Sequence, residues 1–242
     1  MSKELLHQFI KNHSNENVFI GFGNPDSKVL IIGKECALKK ENIDVDEVAV
    51  IENKNRWEEF LSGNKEIIDW KDVPRNEMRR YFNPSKPYWK QLNIRYRKLK
   101  NKESNNDNGG TSSTWCWYQR IFDSLLNPPA VKSPEINFFD NCFITELSAF
   151  SKAYSKDGSK TLTEQSIQER LILFREPFFQ SFPIVIAACN GYVNKYHLNM
   201  RELFPNSEVI PSNQLSMFVK IDEFNTMVEN VRKSLLKRNI KL

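Results

Sequence analysis

Residues 21–37 read GFGNPDSKVLIIGKECA, and the prediction of the fold starts from this stretch. Its centre, 29–32, is a short apolar run between turn-forming residues, which is typical of a strand buried on both faces of a parallel sheet. Gly33 follows this run, and Lys34 and Glu35 are the first polar side chains after it. Because open α/β sheets bind ligands beyond the carboxyl ends of their strands, we expect a ligand site here.

Strand and helix patterns alternate along the rest of the chain. Besides the first strand, three more are predicted, at 46–52, 141–147 and 183–189. Helices are predicted where apolar residues recur with helical spacing, at 3–11, 117–126, 163–174 and 221–236. This alternation predicts an α/β fold in a single domain over residues 1–242. The expected architecture is a three-layer α/β/α sandwich with a mainly parallel central sheet of about four strands.

The composition excludes several classes of protein. The chain has 242 residues, of which 27% are charged and 12% aromatic, so it is long enough for a full core and too apolar for a disordered chain. No apolar run approaches the roughly 18 residues that cross a bilayer, and the first residues lack the apolar core of a signal peptide. We therefore expect a cytoplasmic protein with no membrane partner.

The sequence contains no recognisable metal or cofactor motif. The cysteines form no close pair and are accompanied by only three histidines, which argues against a zinc or iron–sulfur site. They are Cys36, Cys116, Cys142 and Cys189. The segment GKECA lacks the spacing of a phosphate-binding Walker A loop, and the neighbouring glycines flank the strand instead of following it as a dinucleotide-binding fingerprint requires. We therefore predict no metal and no cofactor.

A basic, aromatic insert at 75–102 interrupts the alternating pattern. It carries ten lysines and arginines against one acid, Glu77, whereas the whole chain has a formal charge of only +5. Five aromatic residues are interleaved with these cations, a mixture that suits phosphate neutralisation and stacking on exposed bases. The alternative is an ordinary solvated helix face whose aromatic residues pack inward.

The insert supplies the candidates for nucleic-acid binding. They are Arg79, Arg80, Trp89, Lys90, Arg95 and Arg97. The predicted partner is a single-stranded nucleic acid or a base flipped from a duplex. The segment that follows, 101–113, is rich in Asn, Ser and Gly and is predicted to be a flexible surface loop.

The stretch at 21–37 resembles the opening of the uracil-DNA glycosylase superfamily, especially its small-loop families. In those families a Gly-Asn-Pro-x-Ala lead-in precedes a strand that ends in Gly-Glu-Ala-Pro-Gly. Later segments of this chain agree with the family in order and type. NCFITELS at 141–148 resembles the third strand, IVIAACN at 184–190 the fourth, SEVIPSNQLS at 207–216 the strand and His-Pro-Ser loop, and 221–236 the terminal helix.

The chain departs from the family at two positions that would contact a base. Gln214 stands where the His-Pro-Ser loop has its histidine, so a neutral amide replaces the donor that stabilises the departing base. Glu146 stands where the third strand carries asparagine, which can both donate and accept as uracil requires, whereas a carboxylate only accepts. The swap implies a guanine-like edge with two adjacent donors, or a cation. The alternative is that Glu146 pairs with Lys34 or Lys152 at the rim of the sheet.

The resemblance also implies which residues form the site. The implied base-binding residues are Gly33, Lys34, Glu146, Asn213 and Ser216. The implied catalytic residues are Glu35, whose carboxylate would orient water and stabilise an oxocarbenium-like sugar, and Gln214. The iron–sulfur cysteines of some members of the superfamily have no counterparts here.

Three functions follow as hypotheses. The first is a uracil-DNA glycosylase-like enzyme of DNA repair, which hydrolyses the N-glycosidic bond of a flipped or single-stranded nucleotide with altered base preference. The second is a catalytically inactive nucleic-acid or nucleotide-binding module on the same scaffold. The third is a small-molecule or protein-interaction domain, because a fold alone does not determine function.

Overall fold

The computed structural model describes residues 2–34, 43–63, 113–126, 138–148, 160–215 and 219–242. These residues form an α/β fold around a five-stranded, mostly parallel sheet. The predicted basic insert at 75–102 lies outside the described residues. So does the predicted loop at 101–113, apart from Ser113, which begins a helix.

The sheet contains one strand more than predicted. Its strands are β1 (Phe22–Gly23), β2 (Val29–Gly33), β3 (Phe143–Glu146), β4 (Ile184–Ala187) and β5 (Glu208–Pro211). They lie in the order β1-β3-β2-β4-β5. The last four are parallel to one another, whereas the short β1 pairs antiparallel with β3 at the edge. The strands predicted around β2, β3 and β4 are thus confirmed.

The helices of the described residues include the four that were predicted. The helices are α1 (Ser2–Asn12), α2 (Ile43–Leu61), α3 (Ser113–Leu126), α4 (Lys160–Leu173), α5 (Pro177–Gln180), α6 (Asn190–Lys195), α7 (Met200–Leu203) and α8 (Ile221–Lys237). A 3₁₀ turn at Phe138–Asp140 precedes β3. Helix α8 packs against β4, β5 and α3, whereas α1 packs against α2 and α5.

The predicted strand at 46–52 is wrong, because these residues belong to α2. The β-branched residues of this stretch favour a strand locally. Hydrogen bonds made by residues further along the chain stabilise the helix instead. Asn53 and Trp57, four residues apart, both donate to the carbonyl oxygen of Gly21, at 2.8 and 2.9 Å. Helical spacing places two such side chains on one face, and a strand would not.

The core is centred on β2 and β4. Side chains 29–32 and 184–187 are at most 1% exposed, although alternate residues of a strand point to opposite faces of the sheet. Aromatic rings pack beside β3, where the ring of Phe143 lies 5.1 Å from that of Phe178 and 5.7 Å from that of Phe182. This core holds the carboxyl ends of the parallel strands in fixed positions relative to one another.

The edge strand β1 depends on two glycines. Gly21 and Gly23 have φ angles of 137° and 98°, which other residues rarely adopt. A β-carbon at either position would lie 2.2 Å from a carbonyl oxygen, that of Ile144 at Gly21 and that of Cys142 at Gly23. Glycine at both positions therefore allows β1 to pair with β3.

Candidate functional site

The ends of β2 and β3 bring Gly33, Lys34 and Glu146 together. Gly33 is paired with Glu146 in the register of the two strands. The pairing continues past the strands, because the amides of Leu147 and Ser148 donate to the carbonyl oxygens of Gly33 and Lys34, each at 2.9 Å. Three of the predicted base-binding residues therefore lie together at the carboxyl ends of the parallel strands, called here the carboxyl edge of the sheet.

This edge contains the topological switch point of the sheet. The chain runs from β2 to β3 on one side of β2 and then crosses to β4 on the other side. Lys34 follows β2 and Asn190 follows β4, so these two residues flank the crevice in which doubly wound sheets bind ligands. The first two residues of the GKECA segment, Gly33 and Lys34, thus lie at the carboxyl end of β2, beside the switch point.

The side chain of Lys34 reaches towards α6. Its Nζ atom lies 4.1 Å from the ring centroid of Tyr192, a cation–π distance. Among the described residues Lys34 makes no ion pair with Glu146, which was one alternative for these two residues. The ammonium group of Lys34 therefore lies against the ring of Tyr192 and not against the carboxylate of Glu146.

Glu146 and Tyr118 form the inner part of the site. Glu146 is half-buried, and its Oε2 atom is shielded from solvent. Tyr118 of α3 is 3% exposed, and a β-carbon at Gly33 would lie 3.5 Å from its hydroxyl oxygen. Burial, and then the negative charge of Glu146, raise the pKa of Tyr118 well above its usual value. Tyr118 therefore remains a neutral phenol beside a carboxylate.

Arg170 holds the backbone that carries Glu146. Its side chain is 2% exposed, and its Nε donates to the carbonyl oxygen of Glu146 at 3.0 Å. Its two terminal nitrogens donate to the carbonyl oxygen of Phe19 and the hydroxyl of Thr145, both at 2.6 Å. One buried cation therefore ties the end of β3 to the segment that leads into β1.

A cavity of about 380 Å³ lies at the end of β5, between the loop after this strand and the first turns of α8. Its lining includes Asn190, Ser212, Asn213, Asp222, Glu223 and Phe224. The side-chain amide of Asn213 donates to Glu223 Oε2 at 3.1 Å, whereas Gln214 is exposed. The volume falls within the roughly 300–1,000 Å³ that is usual for small-molecule sites.

The predicted site residues therefore fall into two groups. Gly33, Lys34 and Glu146 lie at the ends of β2 and β3, whereas Asn213 and Gln214 follow β5. Neighbouring strands lie about 4.8 Å apart, so β3 and β5 are separated by roughly 14 Å. The structure brings the first group together and places Asn213 at the neighbouring cavity.

Other predicted residues lie outside the described part of the chain. They are Glu35, Ser216 and the candidates of the insert, Arg79, Arg80, Trp89, Lys90, Arg95 and Arg97. Their assigned roles stay predictions.

Sequence reasoning missed three residues of this site, Tyr118, Arg170 and Tyr192. Tyr118 and Arg170 lie inside helices, where the local pattern does not show which buried residue reaches the edge of the sheet. Tyr192 could have been predicted from its place in the sequence, because it lies in the segment after β4, where α/β sheets commonly bind ligands. Its contact with Lys34 arises only from the order of the strands.

No family model matches the chain, and no curated protein and no solved structure matches it. Within the described residues, no group of three or more His, Cys, Asp and Glu side chains could hold a metal ion. None of the helices in that part of the chain is long and apolar enough to cross a membrane.

Proposed function

We propose that this chain is a uracil-DNA glycosylase-like protein that accepts a flipped or single-stranded nucleotide at the carboxyl edge of its sheet. The observation that carries the proposal is the pairing of Gly33 with Glu146 at the carboxyl ends of β2 and β3, with Tyr118 beside them and Lys34 following Gly33 at the switch point. Segments that resemble the superfamily supply β2, β3, β4, β5 and α8 in the family's order. The burial of alternate side chains on β2 and β4 supports a three-layer α/β/α sandwich.

Glu146 determines the base preference in this proposal. A carboxylate accepts hydrogen bonds and cannot donate them. It matches two adjacent donors on a base, as guanine offers at N1 and N2, whereas the edge of uracil alternates acceptors with a donor. Tyr118 supports this role, because a phenol with a raised pKa does not add a second negative charge beside Glu146.

The proposed reaction is hydrolysis of the N-glycosidic bond. A water oxygen forms a bond to C1′ of the sugar, while the bond between C1′ and the base nitrogen breaks. The electron pair of that bond leaves with the base, which takes up a proton, and the water gives a proton to the carboxylate of Glu35. The side-chain amide of Gln214 donates a hydrogen bond to the leaving base.

A second candidate is a nucleic-acid-binding module without turnover on the same scaffold. It is favoured by the exposure of Gln214. Donors stabilise a developing negative charge best where water is excluded, so an exposed neutral amide is a weak replacement for a histidine. In this case the edge of the sheet binds a base and no bond is broken.

The test compares the wild type with Glu35→Gln and Glu146→Gln on labelled single- and double-stranded DNA. The DNA carries uracil, hypoxanthine, xanthine or an ordinary base, and bound DNA and abasic sites are measured separately. Asp26→Asn is the matched control. It removes an exposed carboxylate that precedes β2, at the opposite edge of the sheet from Glu146.

The outcomes distinguish the glycosylase from the binding module. Abasic product that the wild type makes and Glu35→Gln does not make supports the glycosylase, whereas base-dependent binding without product supports the module. In both cases Glu146→Gln should lower the preference for a guanine-like base by about tenfold, since a bidentate base contact contributes roughly 1–3 kcal/mol of discrimination. Asp26→Asn should leave this preference unchanged. Tight binding of uracil, or no binding to any nucleic acid, overturns the proposal.

A further inference from the structure

Lys34, Lys195 and Tyr196 form a basic, aromatic surface around α6, called here the α6 surface, and the buried ring of Tyr192 supports it. Lys34 Nζ lies 4.1 Å from the ring centroid of Tyr192, and Lys195 Nζ lies 4.7 Å from that of Tyr196. The two rings meet edge to face, with their centroids 5.5 Å apart. Each lysine is therefore held against a ring, of which that of Tyr196 is partly exposed and that of Tyr192 is buried.

The positive charge of the α6 surface is not neutralised by neighbouring acids. Lys195 Nζ donates to the hydroxyl of Tyr196 at 2.9 Å, and neither lysine forms an ion pair with a carboxylate of the described residues. The sequence from 177 to 201 contains Lys195 and Arg201 but no Asp or Glu. A cation held by an aromatic ring keeps its full charge for an incoming phosphate.

The α6 surface lies next to the proposed base site. Lys195 is exposed, and Lys34 and Tyr196 are half-buried, so all three can reach a ligand. Helix α6 follows β4 directly, and β2 lies between β4 and the strand that carries Glu146. A nucleotide adjacent in the strand to one bound at Glu146 can therefore lie over Lys34 and α6.

We infer that the α6 surface binds the nucleic-acid strand beside the base that enters the site. Lys34 and Lys195 contact phosphates, and Tyr196 stacks on a neighbouring base. Single-stranded nucleic acid fits this mixture, because its phosphates require cations and its unstacked bases require aromatic rings. The inference rests on the proposed function and adds to it a path for the strand that does not need the basic insert at 75–102.

The test measures the affinity of the full chain for a fluorescent, mixed-sequence single-stranded oligonucleotide over a series of salt concentrations. The variants are Lys34→Gln, Lys195→Gln, Tyr196→Phe and Tyr196→Leu. The matched control is Lys28→Gln, because Lys28 is an exposed lysine immediately before β2, at the opposite end of this strand from Lys34. Thermal unfolding of each variant separates a change in binding from a loss of the fold.

Each lysine variant should weaken binding several-fold and lower the slope of log affinity against log salt by about 0.7, the value for one phosphate contact on a single strand. Tyr196→Leu should weaken binding at least about fivefold, whereas Tyr196→Phe should bind like the wild type because it keeps the ring. Lys28→Gln should lower neither the affinity nor the slope.

Other results overturn the inference in distinguishable ways. If the wild type binds the oligonucleotide and Lys195→Gln and Tyr196→Leu both keep its affinity and salt slope, the α6 surface is not the binding surface, and the proposed function, which does not use these two residues, stands. If Lys28→Gln weakens binding as much as Lys195→Gln, binding follows net charge and the inference is wrong. If the wild type binds anionic phosphatidylserine vesicles but no nucleic acid, both the inference and the proposed function are wrong.

Discussion

The side chain of Asn53 forms hydrogen bonds with both the amide and the carbonyl oxygen of Gly21. Its Oδ1 accepts from the amide of Gly21 at 3.2 Å and from that of Ile20 at 3.0 Å, and its Nδ2 donates to the carbonyl oxygen of Gly21 at 2.8 Å. Asn53 is 3% exposed, so water does not replace these bonds when the side chain is removed. One residue of α2 therefore holds the lead-in to β1 in place.

Replacing Asn53 with alanine should destabilise the fold by about 2–4 kcal/mol, because the buried amides of Ile20 and Gly21 lose this acceptor, while the carbonyl oxygen of Gly21 keeps the bond from Trp57. Asn55→Ala is the control, since Asn55 is exposed on the same helix, and it should change the stability by less than about 0.5 kcal/mol. Urea unfolding followed by circular dichroism measures both values. Equal effects of the two substitutions would show that the bonds to the lead-in do not contribute.

Alanine substitutions should separate the glycines into two classes. Gly21→Ala and Gly23→Ala place a β-carbon 2.2 Å from a carbonyl oxygen at a positive φ, so each should cost at least about 3 kcal/mol. Gly33→Ala meets its nearest atom, the hydroxyl oxygen of Tyr118, at 3.5 Å, an ordinary contact, and should leave the fold stable. Thermal unfolding of the three variants checks this order, and a Gly33→Ala variant as unstable as Gly21→Ala contradicts it.

Tyr118→Phe should reduce the loss of stability at alkaline pH. Burial and the charge of Glu146 raise the pKa of Tyr118 in the folded chain above its unfolded value of about 10, so the folded state binds this proton more tightly. Its contribution is complete below about pH 10 and is lost as the pH rises further, by up to about 1.4 kcal/mol per pH unit. Urea unfolding at a series of pH values should show a steeper decline in the wild type than in Tyr118→Phe, relative to their stabilities at neutral pH.

The pH profile of the wild type has to be compared with that of Tyr118→Phe because burial also raises the pKa of the Cys142 thiol. This thiol therefore adds a decline of the same sign in both proteins, and the difference between them isolates the phenol. Identical pH profiles of the two proteins would contradict a raised pKa of Tyr118.

Arg170→Met should destabilise the fold by about 3 kcal/mol or more, because the acceptors on Phe19, Thr145 and Glu146 lose a buried donor. Methionine keeps the length of the stem, so the effect reports chiefly on the guanidinium group. Arg175→Met is the control at an exposed position soon after the same helix, where we expect a change below about 0.5 kcal/mol. Denaturant unfolding measures both variants, and a mild effect at Arg170 would show that its hydrogen bonds contribute little.

Local sequence patterns predicted the main elements because those elements are long or fully buried. The continuous apolar runs of β2 and β4 identify strands covered on both faces, and the helical spacing of apolar residues identifies α1 and α8. The same patterns failed at 46–52, where β-branched residues favour a strand but distant contacts of Asn53 and Trp57 stabilise a helix. The two-residue β1 has no pattern of its own and exists because it pairs with β3.

The sequence alone identifies an α/β chain with a first buried strand at 29–32, followed by Gly33 and Lys34, and with Glu146 near the end of another predicted strand at 141–147. The folded chain adds that these two strands are neighbours, that Lys34 Nζ lies against the ring of Tyr192 and that Tyr118 lies beside Gly33. These contacts could not be predicted, because periodicity shows only which side chains are buried within one element. Which elements meet depends on the crossings between strands, and those are stabilised by contacts between residues far apart in the chain.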